Sequence, residues 1–157
     1  MEAVNSGGVG PMTMTCKYAL VKVPTERIRS AWPDILPFIQ KVVDCAPDEL
    51  TVEAILNRVL RKEEDLMTVI SPDGEVVAAF TLSVRTMDTG KRQLCLPVLA
   101  ADDFHLWMDD VFPQLGPIAE ACGCYQVRAI GARPGFSKVF ARYRKIVNVR
   151  HDISLEI

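Results

Sequence analysis

Residues 93–100 read Gln-Leu-Cys-Leu-Pro-Val-Leu-Ala, and the organisation of the chain follows from this stretch. It is almost continuously apolar, which is typical of a strand that is buried on both faces of a sheet. Pro97 interrupts it, and a proline cannot donate a hydrogen bond to a neighbouring strand. We therefore predict an edge, a bulge or a splayed end of the strand near Pro97.

Three shorter patterns before this stretch also predict strands. Residues 66–70 and 75–84 flank Ser71-Pro-Asp-Gly74, where proline presets one backbone dihedral and glycine accepts a positive φ. These segments predict a hairpin, and the polar segment 87–92 predicts a second turn. Residues 18–23 form a β-branched and aromatic run that predicts the first strand.

The remaining segments have helical spacing, apart from those near the end of the chain. Residues 25–60 predict two or three helices, the last capped by Thr51. Residues 102–122 predict a long helix that Gly123 ends and in which Pro113 and Pro117 produce a kink or a break.

The last part of the chain predicts a strand over 125–130, a short helix over 136–144 and a strand over 146–157. The resulting fold class is α/β, with a mixed, largely antiparallel central sheet of about six strands and helices on both faces. Residues 1–15 show no periodicity and contain three glycines, so we expect a flexible leader before one domain over 16–157.

Composition and charge exclude several classes of protein. Of the 157 residues, 49% are hydrophobic and 24% are charged, which excludes a wholly disordered chain. The net charge of −2 excludes a general polyanion binder. No apolar run has the length of a membrane-spanning helix. With an odd number of cysteines, five, and no secretory leader, the chain is expected in the cytoplasm.

The cysteines and histidines do not form a zinc-binding pattern. Cys122-Gly-Cys124 is a single pair, and the chain has only two histidines, His105 and His151. Structural zinc sites need four ligands at characteristic spacing. We therefore predict no metal, and we expect Cys45, Cys95 and Cys124 to be small core residues.

The order of elements resembles the GNAT N-acetyltransferase fold, and more closely the small GNAT-like proteins of tailed bacteriophages. The resemblance covers about residues 17–157. Its most specific segment is Gly131-Ala-Arg-Pro-Gly-Phe136, and it also rests on Ala31-Trp-Pro33, Trp107 and Ala119-Glu-Ala-Cys-Gly-Cys124. It implies an acetyl-CoA-dependent N-acyltransferase.

The resemblance also implies where the cofactor binds. The pantetheine of acetyl-CoA is expected where the strand over 93–100 separates from a parallel neighbour, and the phosphates at a helix N-terminus. The implied contact residues are Pro97, Val98, Leu99, Ala100, Arg133 and Lys138. Where the family has a glycine-rich loop, this chain reads Leu99-Ala-Ala-Asp-Asp-Phe104, with no glycine and with two carboxylates that oppose a pyrophosphate.

Two residues are weak candidates for proton transfer. Tyr143 lies near the family's tyrosine position, which Phe140 occupies, and a phenol can reprotonate a leaving thiolate. His105, at a helix start, can act as a base. The alternatives are a half-buried amphipathic tyrosine and a solvated histidine.

The charged residues between positions 121 and 151 are all basic. Residues 121–151 contain no Asp or Glu but seven cations: Arg128, Arg133, Lys138, Arg142, Arg144, Lys145 and Arg150. Such a run forms either a solvated face or an anion site for the phosphates of CoA or for an acidic protein. Nucleic acid is the least favoured partner, because the chain as a whole has a net charge of −2.

The sequence features are compatible with two classes of function. The first is an acyl-CoA-dependent acyltransferase that acts on host proteins or metabolites. The second is a catalytically inactive GNAT-shaped binding protein, serving a phage as a host-enzyme modulator or a virion assembly accessory in the host cytoplasm. A host-protein partner and a homodimer through paired sheet edges are compatible with both classes.

Overall fold

The computed structural model describes residues 17–99, 103–129 and 155. Within them, five strands form one sheet in the order β1 to β5. The strands are β1 (Ala19–Lys22), β2 (Asp65–Ile70), β3 (Val76–Thr86), β4 (Arg92–Leu96) and β5 (Cys124–Ala129). The pairs β1–β2, β2–β3 and β3–β4 are antiparallel, and the pair β4–β5 is parallel. This confirms the mixed, largely antiparallel sheet; the strand predicted over 146–157 lies outside the described residues, apart from Leu155.

Helices cover both faces of the sheet, as predicted. They are α1 (Ile28–Cys45), α2 (Val52–Leu60) and α3 (Phe104–Ala121). One core lies between the sheet and α1 and α2, and includes Ile39 and Ile55. A second core lies between the opposite face and α3, and includes Phe80 and Trp107. Across the described residues, none of these helices combines the length and apolarity that a membrane crossing requires.

The prolines within the helices do not divide them. α1 contains Pro33 and Pro37, and α3 contains Pro113 and Pro117, yet each runs as one helix. A proline in a helix interior leaves the carbonyl four residues earlier without its donor. All four prolines are exposed, and since each pair has a spacing of four, the freed carbonyls lie on the solvent side of the helix where water can satisfy them. The expected break in the long helix is therefore not observed.

The predicted helix ends are largely confirmed. The Thr51 hydroxyl accepts a hydrogen bond from the Ala54 amide at 3.1 Å. Gly123, with a φ of +70°, follows α3 and donates its amide to the Glu120 carbonyl at 3.0 Å. The prediction that Cys45 is a core residue is wrong, because it is the exposed last residue of α1.

Candidate functional site

The last residues of β4 contain a β-bulge. Ser83 of β3 pairs with Cys95, and Phe80 forms a bridge with Leu99. Three steps along β3 therefore correspond to four steps along the facing chain, which requires one extra residue between Cys95 and Leu99. Pro97 lies in this interval. The irregularity predicted from the proline is thus confirmed as a bulge.

The bulge also changes which face the side chains occupy. Leu94 and Leu96 pack in the core under α3. Val98 joins the core under α1 and α2, and Leu99 packs again on the α3 side. An uninterrupted strand would place residues 96 and 98 on the same face. Pro97 and Val98 are therefore the point at which the alternation shifts by one residue.

Beyond the bulge, the backbone of Leu99 is directed away from β3. The Thr81 amide donates to the Val98 carbonyl at 3.0 Å, so Phe80 and Leu99 form the pair that is not mutually hydrogen-bonded. The N–H and C=O of Leu99 consequently point to the side on which β5 lies. The described pairing of β4 with β5 ends at Leu96 opposite Ala129. This side of the chain can pair with an extended amide group.

A buried hydroxyl lies beside the bulge. Thr81 is 0% exposed, and none of the described residues forms a hydrogen bond with its Oγ1. Buried polar atoms without partners are uncommon and destabilise the folded state by about 1–3 kcal/mol. Sequence reasoning did not find this hydroxyl, which lies on β3 and therefore on the opposite side of the chain at Leu99 from β5.

The start of α3 follows the bulge after a short interval. Asp103 precedes the helix with a φ of +50°, and its side chain caps no amide of the first turn. His105 lies exposed in that turn, as its solvated alternative predicts. Of the other predicted site residues, Ala100, Arg133, Lys138 and Tyr143 lie outside the described residues.

Polar side chains form two rows on the sheet face opposite α3. The register places Arg85, Gln93 and Gln126 side by side across β3, β4 and β5. The next row along the strands consists of Ser83, Cys95 and Arg128, again in register. We call these six residues the polar face. Sequence reasoning missed it, although alternate polar residues on each strand were its signal.

The glutamines of the polar face form a short amide chain. Gln93 is 1% exposed, and its Nε2 donates to Gln126 Oε1 and, at 3.4 Å, to the Tyr125 hydroxyl. Lys91 Nζ lies 5.3 Å from the centre of the Tyr125 ring. Gln93 Oε1 is buried and has no hydrogen-bond partner among residues 17–99 and 103–129. A second orphaned polar atom thus lies on the same face as Thr81.

Cys95 lies between the two arginines of the polar face. Its side chain is 2% exposed, and burial raises the pKa of the thiol. The positive charges of Arg128 and Arg85 act in the opposite direction on this pKa. The thiol therefore stays protonated at neutral pH and is not an activated nucleophile.

Two further features do not belong to this site. An open cleft of about 300 Å³ lies between Lys62, Asp65, Val84 and Cys122 among others, and it shares only Ser83 with the polar face. Among residues 17–99 and 103–129, no group of three or more His, Cys, Asp or Glu side chains is placed to hold a metal ion.

Comparison with solved structures identifies the fold. An aminoglycoside acetyltransferase from an uncultured soil metagenomic sample superposes with a TM-score of 0.61 at 12% identity, over 90% of this chain and 97% of its own. An acetyltransferase of Trypanosoma brucei gives 0.56 at 14% identity, over 88% and 100%. Glucosamine-6-phosphate N-acetyltransferase from Arabidopsis thaliana gives 0.56 at 13% identity, over 89% and 98%. This is the GNAT acetyltransferase fold.

The order of predicted helices and strands resembled the GNAT fold, and the comparison confirms this fold. No protein-family model matches the chain, and no curated protein matches it by sequence. At 12–14% identity to these three structures, the likeness concerns the backbone and not the site residues. The chemistry of this chain has to be argued from its own side chains.

Proposed function

We propose that the protein is an acyl-CoA-dependent N-acyltransferase that transfers an acetyl or similar acyl group to an amine. The observation that carries the proposal is the β-bulge at Pro97, in a strand that is parallel to β5 on its other side and is followed by α3. Within the described residues, the N–H and C=O of Leu99 that point away from β3 have no partner, and α3 begins five residues later at Phe104. The two features suit the two halves of acyl-CoA, its amide-containing arm and its phosphates.

The residues at the bulge fit the pantetheine arm. Pantetheine is an extended chain with two amides, and the N–H and C=O of Leu99 are directed to the side where such a chain can lie. When bound, acyl-CoA supplies an activated thioester, and the protein has to align an amine with it.

The start of α3 suits a pyrophosphate less well. Its first amides receive no side-chain cap from Asp103, which leaves them available to an anion. The carboxylate of Asp103 nevertheless adds a like charge at this position. Arg133 and Lys138 stay proposed phosphate contacts, and His105 and Tyr143 stay proposed proton-transfer residues.

Calorimetric titration with acetyl-CoA and with desulfo-CoA tests the proposal. We expect both ligands to bind and to raise the melting temperature, because desulfo-CoA retains the arm and the phosphates. Leu99→Pro removes the backbone donor and should weaken both affinities by about tenfold, the effect of one hydrogen bond of ordinary net strength.

The unfolding temperature of Leu99→Pro without ligand is the control for a disturbed fold. If neither ligand binds to the wild-type protein at millimolar concentration, the proposed function is wrong. The inactive binding protein would then be the class to examine, by isolating what co-purifies with the chain.

A further inference from the structure

The polar face carries two arginines whose charges are not neutralised within the described residues. Arg128 is half-buried and Arg85 is exposed, and neither forms an ion pair in the part of the chain that the structure describes. Two acids at the start of β2 are close to other cations: Asp65 lies 3.2 Å from Lys22, and Glu63 lies 3.8 Å from Arg61. Asp88 lies in the turn after β3 and not on the polar face. The six residues of the polar face therefore carry two positive charges and no negative charge, in a chain of net charge −2.

The spacing of the two arginines suits one small anion. They are two strands apart and offset by two residues, because Arg85 is opposite Gln93 while Arg128 is opposite Cys95. With about 4.8 Å between strands and about 3.3 Å per residue, their Cα atoms are roughly 12 Å apart. Arginine side chains extend far enough for both guanidinium groups to reach a carboxylate or phosphate between them.

Beneath this position lies a fixed hydrogen-bond acceptor. Gln93 donates both amide hydrogens, one towards Gln126 and one towards Tyr125, which fixes the orientation of its side chain. No described residue donates a hydrogen bond to its Oε1. A ligand that brings an anion and also an N–H or O–H donor would satisfy both the charges and this oxygen.

The polar face also adjoins the proposed cofactor groove. The row that contains Cys95 and Arg128 lies one residue before the end of the described pairing between β4 and β5, and two residues before Pro97. At about 3.3 Å per residue this is within roughly 7 Å of the bulge along the strand. An acceptor bound here would lie close to the thioester.

We propose that the acceptor is an amine that carries an anionic group, a carboxylate or a phosphate, and that Arg85 and Arg128 bind this group. The proposal rests on the proposed acyltransferase function. It excludes polyamines and other purely cationic amines as preferred acceptors, since two unpaired guanidinium groups repel them.

Acceptor preference provides the test. Release of CoA from acetyl-CoA is measured with matched amines: glycine against glycinamide, glutamate against its diamide, and O-phosphoethanolamine against ethanolamine. The first two pairs test a carboxylate and the third tests a phosphate. We expect kcat/KM to be at least about tenfold higher for the anionic member of one pair, as for a charge-assisted hydrogen bond.

Variants locate the preference on the polar face. Arg128→Gln and Arg85→Gln should each reduce the ratio within that pair through KM, and the double variant should bring it close to one. Arg29→Gln removes the same charge from the exposed surface of α1 and should leave the ratio unchanged. Equal or better use of the neutral amines by the wild type, or an unchanged ratio in the double variant, overturns the proposal.

A direct titration separates this proposal from the proposed function. Glutamate and O-phosphoethanolamine are titrated into the protein without acetyl-CoA. If acetyl-CoA does not bind but one of these anions does, and the double variant loses it, the acyltransferase function fails and the anion site stands. If acetyl-CoA binds and is hydrolysed while no anionic amine binds or reacts, the anion site fails and the cofactor site stands.

Discussion

The orphaned hydroxyl of Thr81 leads to a prediction in which the same substitution has opposite effects at two sites. Thr81→Val removes a buried oxygen that has no hydrogen-bond partner in the part of the chain that the structure describes. Thr68→Val is the matched control on β2. Thr68 is 4% exposed, and its hydroxyl donates to the Val21 carbonyl at 3.1 Å. Both positions lie within strands, where threonine and valine have similar propensities, so the hydroxyl is the main difference.

The expected sizes follow from these contacts. An unpaired buried hydroxyl costs about 1–3 kcal/mol, so Thr81→Val should raise the free energy of unfolding by at least about 1 kcal/mol. The backbone bond from the Thr81 amide to Val98 is unaffected by the change. Thr68→Val should lower the free energy of unfolding by about 0.5–1.5 kcal/mol, since one ordinary hydrogen bond is lost. For a domain of this size each kcal/mol shifts the melting temperature by roughly 2–4 °C.

Urea unfolding followed by circular dichroism and tryptophan fluorescence measures both changes, with equal m-values as the check on two-state behaviour. The same variants are titrated with acetyl-CoA. We expect Thr81→Val to be more stable than the wild type and Thr68→Val to be less stable, and we expect both to bind acetyl-CoA normally, because β2 and β3 lie on the opposite side of the chain at Leu99 from the proposed groove. Destabilisation by Thr81→Val, or a change of the same sign at both sites, would refute the interpretation of the orphaned hydroxyl.

Three further predictions concern charge and burial. Asp103→Asn should tighten acetyl-CoA binding by about two- to fivefold in calorimetry, because a carboxylate beside the phosphates is removed, whereas Asp34→Asn on exposed α1 should have no effect. Burial raises the pKa of the Cys95 thiol, so the neutral thiol stabilises the folded state fully below the ordinary thiol pKa of about 8.5, and this stabilisation is lost as pH rises through the folded-state pKa. The free energy of unfolding, measured from pH 7 to 10, should therefore fall with pH. The fall should be smaller in Cys95→Ala. Glu64→Ala should destabilise the protein by about 2–3 kcal/mol in urea unfolding, since Arg58 Nε donates to this mostly buried carboxylate at 2.7 Å; a double-mutant cycle that gives no coupling would contradict this.

Much of the fold could be predicted because the deciding residues act locally. Pro97 cannot donate a backbone hydrogen bond, so an irregularity near it follows from the residue type. The Thr51 cap and the Gly123 stop are equally local. The prolines of α3 were harder, because their tolerance depends on which side of the helix faces water. The spacing of Pro113 and Pro117 by four residues already indicates a common face, and the structure shows that this face is exposed.

The polar face was not predicted, for a physical reason. Alternate polar residues such as Gln93 and Cys95 reveal that one side of a strand is polar, but not which residues lie opposite on the neighbouring strands. That depends on register, which in β3, β4 and β5 is set by turns and irregularities. Binding partners depend on surfaces of a second molecule, which this sequence does not contain. A host protein, a homodimer and a phage origin stay predictions.

The two parts of the candidate site differ in how they depend on sequence. The proposed acyl-CoA site depends on backbone groups at the bulge at Pro97, and many sequences can form such a bulge. The proposed acceptor site depends on the side chains of Arg85, Gln93 and Arg128. Because the two proposed sites use different kinds of groups, they should respond to substitution independently. Substitutions at the two arginines should consequently change which amine is used without changing how acyl-CoA is bound.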